Sequence, residues 1–290
     1  MVGIDPVVEQ LPPELLTGLG NHLQLESTAN AFLEFGRSII DVVGPLVPAV
    51  KINIAYFERY HSPGVRVYRQ LVRHARKAGL IVIGDVKRSD IGHTAAQYAL
   101  GQLADSQFED CDENLGPDAI TVNAYLGLDG IKPFLEVAAS CGKGIFALVR
   151  TSNPSATEIQ EIPLAGGHPF YLHMAGLLSR WADQPGTHGF CNLGAVVGAT
   201  TGHAVAELRA TLPASIFLIP GIGAQGGSLE DCKPAFDSRG FGAVISASRS
   251  IIFSYRDPRY KELASADWRR AVEQATIDQK TQIGNIIPIG

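Results

Sequence analysis

A short stretch near residue 85 brings together side chains that could do acid–base chemistry. Asp85, Lys87 and Asp90 follow the apolar run that contains Ile81 and Ile83, which is typical of a buried strand. Because side chains alternate between the two faces of a strand, Asp85 and Lys87 are predicted to point the same way. Charges crowded at the end of a buried strand are costly unless they are paired. On its own, this spacing indicates a structural ion pair more often than a site.

Two further charged residues, Asp5 and Lys51, follow other predicted strands and strengthen the case for a site. If the first three strands are neighbours, these two can converge with Asp85, Lys87 and Asp90. Alternating charges would keep the lysines protonated and the carboxylates ionised. Such a cluster can supply a proton from a lysine or repel an anionic group of a substrate. A Schiff-base lysine needs apolar or cationic surroundings, so the acidic neighbours argue against that role for Lys87.

Eight β-like runs alternate, for the most part, with helical patterns, which predicts parallel βαβ units. Eight such units in 290 residues favour a single (β/α)8 TIM barrel domain over residues 1–290, with a doubly wound open sheet as the alternative. Barrel chemistry takes place at the carboxyl ends of the strands. The predicted strands are Val2–Asp5, Ala49–Ile54, the run from Ile81, Ala119–Ala124, Gly144–Thr151, Gly194–Ala199, Ile216–Ile219 and Ala243–Ala247. The predicted helices are Thr28–Val43, Val65–Ala78, Ala95–Ala104 with Thr94 as its cap, Ile131–Ala139, His203–Thr211, one starting near Ser228 and Ala264–Ile283.

Glycines after the seventh predicted strand indicate a phosphate site. Gly221, Gly223 and Gly226 would expose backbone N–H groups, and Arg249 after the eighth strand could clamp a phosphate. Loops seven and eight are the usual phosphate site of a barrel. A plain tight turn is the alternative. The literal dinucleotide fingerprint in this stretch is discounted because no acidic residue ends the next strand.

The segment from Arg150 to Pro154 follows the fifth predicted strand and carries hydroxyl and amide groups. Ser152 and Asn153 could read the edge of a flat heterocycle, although serine, asparagine and proline are also ordinary turn residues. The loop that continues to Pro169 is long, and long loops in compact domains often act as lids.

Composition narrows the function classes. A net charge of −5 gives no indication of a nucleic-acid or anionic-membrane partner, and no apolar run is long enough to cross a bilayer. The first predicted strand begins at Val2, with nothing typical of a signal peptide ahead of it. No residues show clear metal-ligand spacing. The scattered cysteines predict buried free thiols and a cytoplasmic location; they are Cys111, Cys141, Cys191 and Cys232.

Several motifs, taken together, resemble the orotidine 5′-phosphate decarboxylase family in its longer bacterial type (type 2). They occur in the family's order and cover nearly the whole chain. The motifs are Val2–Pro6, Val50-Lys51, the run from Asp85 to Thr94, Thr121–Gly127, Arg150–Pro154, Pro220–Gly227 and Ser248-Arg249. The combination of Arg150–Pro154 with Pro220–Gly227 is the most specific.

The resemblance implies loss of CO2 from orotidine 5′-monophosphate to give UMP, without a metal or any other cofactor. Lys87 would protonate C6 of the pyrimidine, with Asp85 and Asp90 beside the reacting carboxylate and Lys51 completing the charge network. It also implies a homodimer in which Asp90 and Thr94 reach the partner's active site. The implied substrate-binding residues are Asp5 and Lys51 for the ribose, Ser152 for the pyrimidine, Gln225, Gly226 and Arg249 for the phosphate, together with Thr94 and Asn123.

Two alternatives remain. A Mg²⁺-dependent aldol enzyme such as hexulose-phosphate synthase would share the Asp-x-Lys-x-x-Asp core, but Ser152 and Asn153 and the lack of an evident Mg²⁺ carboxylate pair count against it. A catalytically silent sensor of phosphate ligands on the same fold would not be expected to keep the complete Asp/Lys cluster.

Overall fold

The computed structural model describes residues 1–17, 24–105, 116–199, 202–221 and 227–287. Strands and helices alternate along the chain, and neighbouring strands run parallel. The strands are β1 (Val2–Ile4), β2 (Ala49–Asn53), β3 (Ile81–Arg88), β4 (Ala119–Val122), β5 (Gly144–Arg150), β6 (Leu193–Val197), β7 (Phe217–Ile219) and β8 (Ala243–Ile245). The helices are α1 (Pro13–Leu16), α2 (Leu25–Val43), α3 (Ala55–Glu58), α4 (His61–Lys77), α5 (Gly92–Gln102), α6 (Leu128–Cys141), α7 (Phe170–Trp181), α8 (Gly202–Thr211), α9 (Arg249–Ile252), α10 (Lys261–Ala266) and α11 (Trp268–Ile286).

The order of strands in the sheet is β1 to β8, the same as their order in the sequence. A (β/α)8 barrel has this order, whereas a doubly wound open sheet reverses it at a switch point. The segment after β8 returns to β1, because Val2 forms a parallel bridge with Ala247 and the Gly3 N–H donates to the Ala247 carbonyl at 2.8 Å. The predicted (β/α)8 class is confirmed, and the open-sheet alternative is wrong.

The chain divides into two compact units. The first unit comprises Met1–Val86, Ala104–Asp118 and Ala247–Thr281. The second unit comprises Lys87–Leu103, Ala119–Ser246 and Gln282–Gly290. The expectation of a single domain stays a prediction.

The core of the first unit forms around α2, whose apolar residues recur at helical spacing and face inward. Phe32 and Phe35 are fully buried, and the Phe35 ring stacks on Trp268 with centroids 5.5 Å apart. Gly36 lets α4 approach, because a Cβ at this position would lie 2.6 Å from Cδ1 of Leu71. This close packing fixes the helices that flank β1 and β2.

In the second unit, Arg209 ties α8 to the strands that follow it. Its guanidinium lies 3.8 Å from the centroid of the Phe217 ring and donates to the carbonyls of Ser215 at 2.8 Å and Gly242 at 2.7 Å. Burial lowers the pKa of Arg209 to about 10. The side chain therefore stays charged at neutral pH and acts as a structural clamp.

Several local predictions were wrong. Helix α7 occupies part of a region where no helix was predicted, and its interior Gly176 weakens the helical signal. The helix expected near Ser228 is a 3₁₀ helix over Glu230–Ala235. Thr94 does not cap α5, which begins at Gly92 with no side-chain cap.

The thiols also differ from expectation. Cys232 is buried and Cys191 half-buried, but Cys141 is exposed, while Cys111 lies outside the described residues. In the described part of the chain, no helix combines the length and apolar character needed to cross a membrane.

Candidate active site

Three charged side chains meet at the carboxyl ends of β1, β2 and β3 in the first unit. Lys51 Nζ lies 3.0 Å from Asp85 Oδ2 and 4.0 Å from Asp5 Oδ1. All three side chains are largely buried, with exposed fractions of 9% for Lys51, 9% for Asp85 and 13% for Asp5. The parallel pairing of these strands aligns their carboxyl ends, so the structure brings together Asp5, Lys51 and Asp85.

The charge of Lys51 depends on its two carboxylate partners. Burial works to lower the pKa of Lys51, but Asp5 and Asp85 together outweigh it and raise that pKa above its ordinary value. The ammonium is therefore fixed as a cation, and it holds two carboxylates in a largely buried site. Such a group can orient and stabilise charge, but it does not supply a neutral amine.

One carboxylate oxygen of Asp5 accepts a hydrogen bond, whereas the other has only an ion-pair contact. Ser248 Oγ donates to Asp5 Oδ2 at 2.7 Å and also lies 3.1 Å from the Gly3 carbonyl oxygen. The buried Oδ1 accepts no hydrogen bond from any residue that the structure describes, apart from its 4.0 Å ion pair with Lys51. Buried acceptors are normally satisfied. Oδ1 is therefore placed to accept a hydrogen bond from a bound hydroxyl.

From the sequence, Ser248 was noted only as part of the Ser248-Arg249 motif, so its contact with Asp5 was missed. The approach requires Gly3, since a Cβ there would lie 2.9 Å from the Cβ of Ser248. Arg249, the predicted phosphate ligand, is the first residue of α9 and is exposed.

Tyr56, which follows β2, was also missed. Burial raises the pKa of the Tyr56 phenol, Asp5 raises it further, and Arg249 opposes the shift. The ring lines a cavity of about 380 Å³ in the first unit. The other lining residues are Pro6, Val7, Ala55, Arg59 and Tyr60.

In the second unit, Lys87 has an unusual backbone. Its φ is +43°, a left-handed conformation that side chains other than glycine rarely adopt. The Lys87 N–H donates to Thr121 Oγ1 at 3.0 Å, and its side chain is exposed. The strict strand alternation expected from the sequence therefore does not continue through Lys87. Strain of this kind is concentrated at functional sites.

Asn123 and Asp90 organise the turns near Lys87. The Asn123 N–H donates to the Arg88 carbonyl at 3.0 Å, and Asn123 Oδ1 accepts from the Tyr125 N–H at 3.0 Å. Asp90 is half-buried, and its Oδ1 accepts from the Ile91 N–H at 2.9 Å, just ahead of α5. These bonds shape the segments after β3 and β4.

Ser152 is half-buried beyond the end of β5, where it packs against the residue that follows β6. A Cβ on Gly198 would lie 2.8 Å from the Ser152 nitrogen and 2.9 Å from its Cα. Thr94 lies exposed on α5. Gln225 and Gly226, predicted to hold the phosphate, lie outside the described residues.

Comparisons with known proteins agree on one family. The sequence profile described as "Orotidine 5′-phosphate decarboxylase / HUMPS family" matches residues 28–262. A Rhodopirellula baltica protein named orotidine 5′-phosphate decarboxylase is 40% identical over 284 residues, covering 97% of this chain and 93% of the relative. A Caldicellulosiruptor saccharolyticus protein of the same name is 37% identical and covers 89% of this chain and 85% of its own length. The solved structure of Leishmania donovani OMP decarboxylase matches with a TM-score of 0.72 and 28% identity, covering 98% of this chain and 92% of that one.

Proposed function

This chain belongs to the orotidine 5′-phosphate decarboxylase / HUMPS family, and we propose that it converts orotidine 5′-monophosphate to UMP and CO2 without a cofactor. This reaction is the last step of de novo pyrimidine nucleotide synthesis. The observation that carries the proposal is the buried Lys51 held between Asp5 and Asp85, since all three residues lie in the family's motifs. Because the substrate and product are phosphorylated nucleotides, the proposed location is the cytoplasm.

In the proposed mechanism, Lys87 supplies the proton. The bond between C6 and the carboxylate breaks, CO2 leaves, and the electron pair remains on C6. The Lys87 ammonium gives a proton to C6, which completes UMP, and the amine later regains a proton from water. An ammonium fixed beside a developing carbanion stabilises the transition state more than the ground state.

Asp85 and Asp90 are proposed to lie beside the reacting carboxylate. Their negative charge would disfavour the bound substrate and cease to matter once CO2 has left. Lys51 orients Asp85 through the 3.0 Å contact.

The remaining roles concern binding. Oδ1 of Asp5, which accepts no hydrogen bond from the described residues, and the Lys51 ammonium suit ribose hydroxyls, which both donate and accept hydrogen bonds. Ser152 is assigned to the pyrimidine edge. The phosphate is assigned to Gln225, Gly226 and Arg249, and Asn123 and Thr94 are further substrate-binding residues. Binding energy from the remote phosphate can be used to lower the barrier at C6.

A homodimer is proposed, with Asp90 and Thr94 contributing to the partner's site. The supporting observation is a set of exposed apolar side chains in the second unit, on α5 and the residue before it, and between the end of β4 and the first residue of α6. Tyr125 is 72% exposed and Ile91 is 55% exposed, and exposed large apolar side chains of this kind are candidates for an interaction surface. The set, referred to below as the α5–α6 patch, comprises Ile91, Tyr98, Leu100, Tyr125, Leu126 and Leu128.

The deciding experiment follows the loss of orotidine 5′-monophosphate absorbance with EDTA present. Rapid conversion to UMP supports cofactor-free decarboxylation. Conversion of sugar phosphates only after Mg²⁺ is added would instead support an aldol enzyme of the same family. UMP binding without any turnover would indicate a catalytically silent sensor.

A further inference from the structure

Gln160 and Thr151 are joined by two hydrogen bonds just beyond β5. The Thr151 N–H donates to Gln160 Oε1 at 2.8 Å, and Gln160 Nε2 donates to Thr151 Oγ1 at 2.8 Å. The main chain of Gln160 is fixed as well, since its N–H donates to the Ala156 carbonyl at 2.7 Å and its carbonyl accepts from the Tyr171 N–H at 2.8 Å. Gln160 therefore links the exit of β5 to the start of α7.

The direction of each hydrogen bond follows from chemistry. A backbone N–H can only donate, so Oε1 of the Gln160 amide must face it and Nε2 must face the Thr151 hydroxyl. That hydroxyl accepts from Nε2 and donates its own proton to Asn153 Oδ1 at 2.6 Å, a much shorter contact than its 3.3 Å distance to Gln160 Oε1. The chain of bonds thus fixes the amide of Asn153.

Ser152 lies between these two anchored residues. Thr151, the residue before Ser152, is held by Gln160. Asn153, the residue after Ser152, is held through the Thr151 hydroxyl, and Gly198 packs against the Ser152 backbone. A change in the backbone conformation of Ser152 would have to disturb at least one of these contacts. The segment is therefore ordered without any contribution from a ligand.

The neighbouring residue reinforces the same connection. Glu161 Oε1 accepts from Arg150 Nη2 at 2.7 Å and from Arg150 Nε at 3.1 Å, and the Arg150 side chain is only 4% exposed. Charge-assisted bonds of this kind are stronger than neutral ones. The loop expected from the sequence to act as a lid is thus anchored at its base, and it closes on itself through the Pro163–Pro169 bridge.

We propose that Gln160 is a positioning residue that holds Ser152 in the conformation that reads the pyrimidine edge. The proposal rests on the proposed function, in which Ser152 binds the pyrimidine, and Gln160 itself need not touch the substrate. Because the segment is already ordered in the free protein, ligand binding loses less conformational entropy.

The test compares two ligands, UMP and ribose 5-phosphate, in the full-length protein. Gln160→Ala removes both bonds to Thr151, so the Kd for UMP is expected to rise about tenfold, by the usual worth of a buried hydrogen bond. The Kd for ribose 5-phosphate, which has no pyrimidine, is expected to change by less than about twofold. Glu158→Gln, an exposed change in the same segment, is the matched control and should alter neither value.

Two subtler variants keep the test decisive if Gln160→Ala does not fold. Gln160→Glu still accepts from the Thr151 N–H but cannot donate, so the Thr151 hydroxyl turns toward the carboxylate and releases Asn153. Thr151→Val keeps the shape and the N–H but removes the hydroxyl. Each is expected to weaken UMP binding several-fold and to leave ribose 5-phosphate binding unchanged.

Equal losses for the two ligands, or an unchanged Kd for UMP across these variants, would overturn the role of Gln160. Wild-type protein that binds UMP but does not convert orotidine 5′-monophosphate would contradict the proposed function and leave this comparison intact. Wild-type protein that binds neither ligand would contradict both proposals.

Discussion

Ser248 lies 243 positions from Asp5 in the sequence, yet its hydroxyl donates to Asp5 Oδ2 at 2.7 Å. The bond orients the carboxylate so that Oδ1 is left for another donor. Ser248→Ala should therefore raise the KM for orotidine 5′-monophosphate about fivefold to tenfold, the effect of roughly 1 kcal/mol, with a smaller change in kcat. Steady-state kinetics check this. Ser250→Ala, at an exposed neighbouring position, is the control, and equal effects of both changes would contradict the role of Ser248.

Lys51→Met should destabilise the protein, because it leaves the Asp5 and Asp85 carboxylates buried without their cation. Breaking a buried pair typically costs about 3–5 kcal/mol. The folded-state pKa of Lys51 is raised, so its contribution is fully present below its unfolded pKa of about 10.4 and is lost as pH rises through the folded value.

Urea unfolding at about pH 8 and about pH 11 measures this dependence. The stability gap between wild type and Lys51→Met should be constant through the neutral range and narrow in alkali. Lys77→Met, at an exposed position on α4, should show no such gap. A gap that widens in alkali would contradict the raised pKa.

Two substitutions of Lys87 separate its effect on activity from its effect on stability. Both Lys87→Ala and Lys87→Gly remove the proton donor, so turnover should fall by about a thousandfold or more while UMP still binds. Because φ at this position is +43°, the glycine variant should be about 1 kcal/mol more stable than the alanine variant. Absorbance assays, calorimetric titration with UMP and urea unfolding check the three expectations. Substantial turnover by Lys87→Ala would refute the assigned role.

Gly198→Ala tests how closely the end of β6 supports Ser152. The added Cβ would lie 2.8 Å from the Ser152 nitrogen, so the Ser152 backbone has to move and UMP affinity should fall about tenfold. Gly101→Ala, on α5 in the same unit, meets nothing within 4 Å and should slightly stabilise the helix. Calorimetry for UMP and thermal unfolding separate the two effects. An unchanged affinity in Gly198→Ala would show that Ser152 tolerates displacement.

The α5–α6 patch is predicted to be the dimer interface. Tyr125→Asp places a charge on this surface, so analytical ultracentrifugation should show monomers, and activity should fall because the partner's Asp90 and Thr94 would be lost. Phe241→Asp changes another large side chain, 57% exposed, outside the patch, and should leave the dimer intact. Dissociation by both variants, or by neither, would argue against this assignment.

The sequence predicted those parts of the candidate site whose positions follow from the order of the strands. Asp5, Lys51 and Asp85 could be grouped in advance because the carboxyl ends of adjacent parallel strands meet at one edge. The contact of Ser248 with Asp5 could not, because it depends on the pairing of the segment after β8 with β1 and on the missing Cβ of Gly3.

Other features depend on details that residue patterns do not encode. Gln160 lies in a segment that has the composition of a mobile loop, and its role becomes visible only from the two bonds to Thr151. Helix α7 was missed because a glycine interrupts its apolar pattern. The left-handed backbone of Lys87 has no sequence signal, since a lysine there would ordinarily be read as extended.

The buried trio of Asp5, Lys51 and Asp85 has a consequence for directed evolution. Replacing a buried ion pair with well-packed apolar residues is often neutral or stabilising in proteins. A library that varies these three positions together and is screened only for survival of heating would therefore favour apolar combinations that are stable but inactive. Any thermostabilisation campaign should hold these three codons constant and diversify elsewhere.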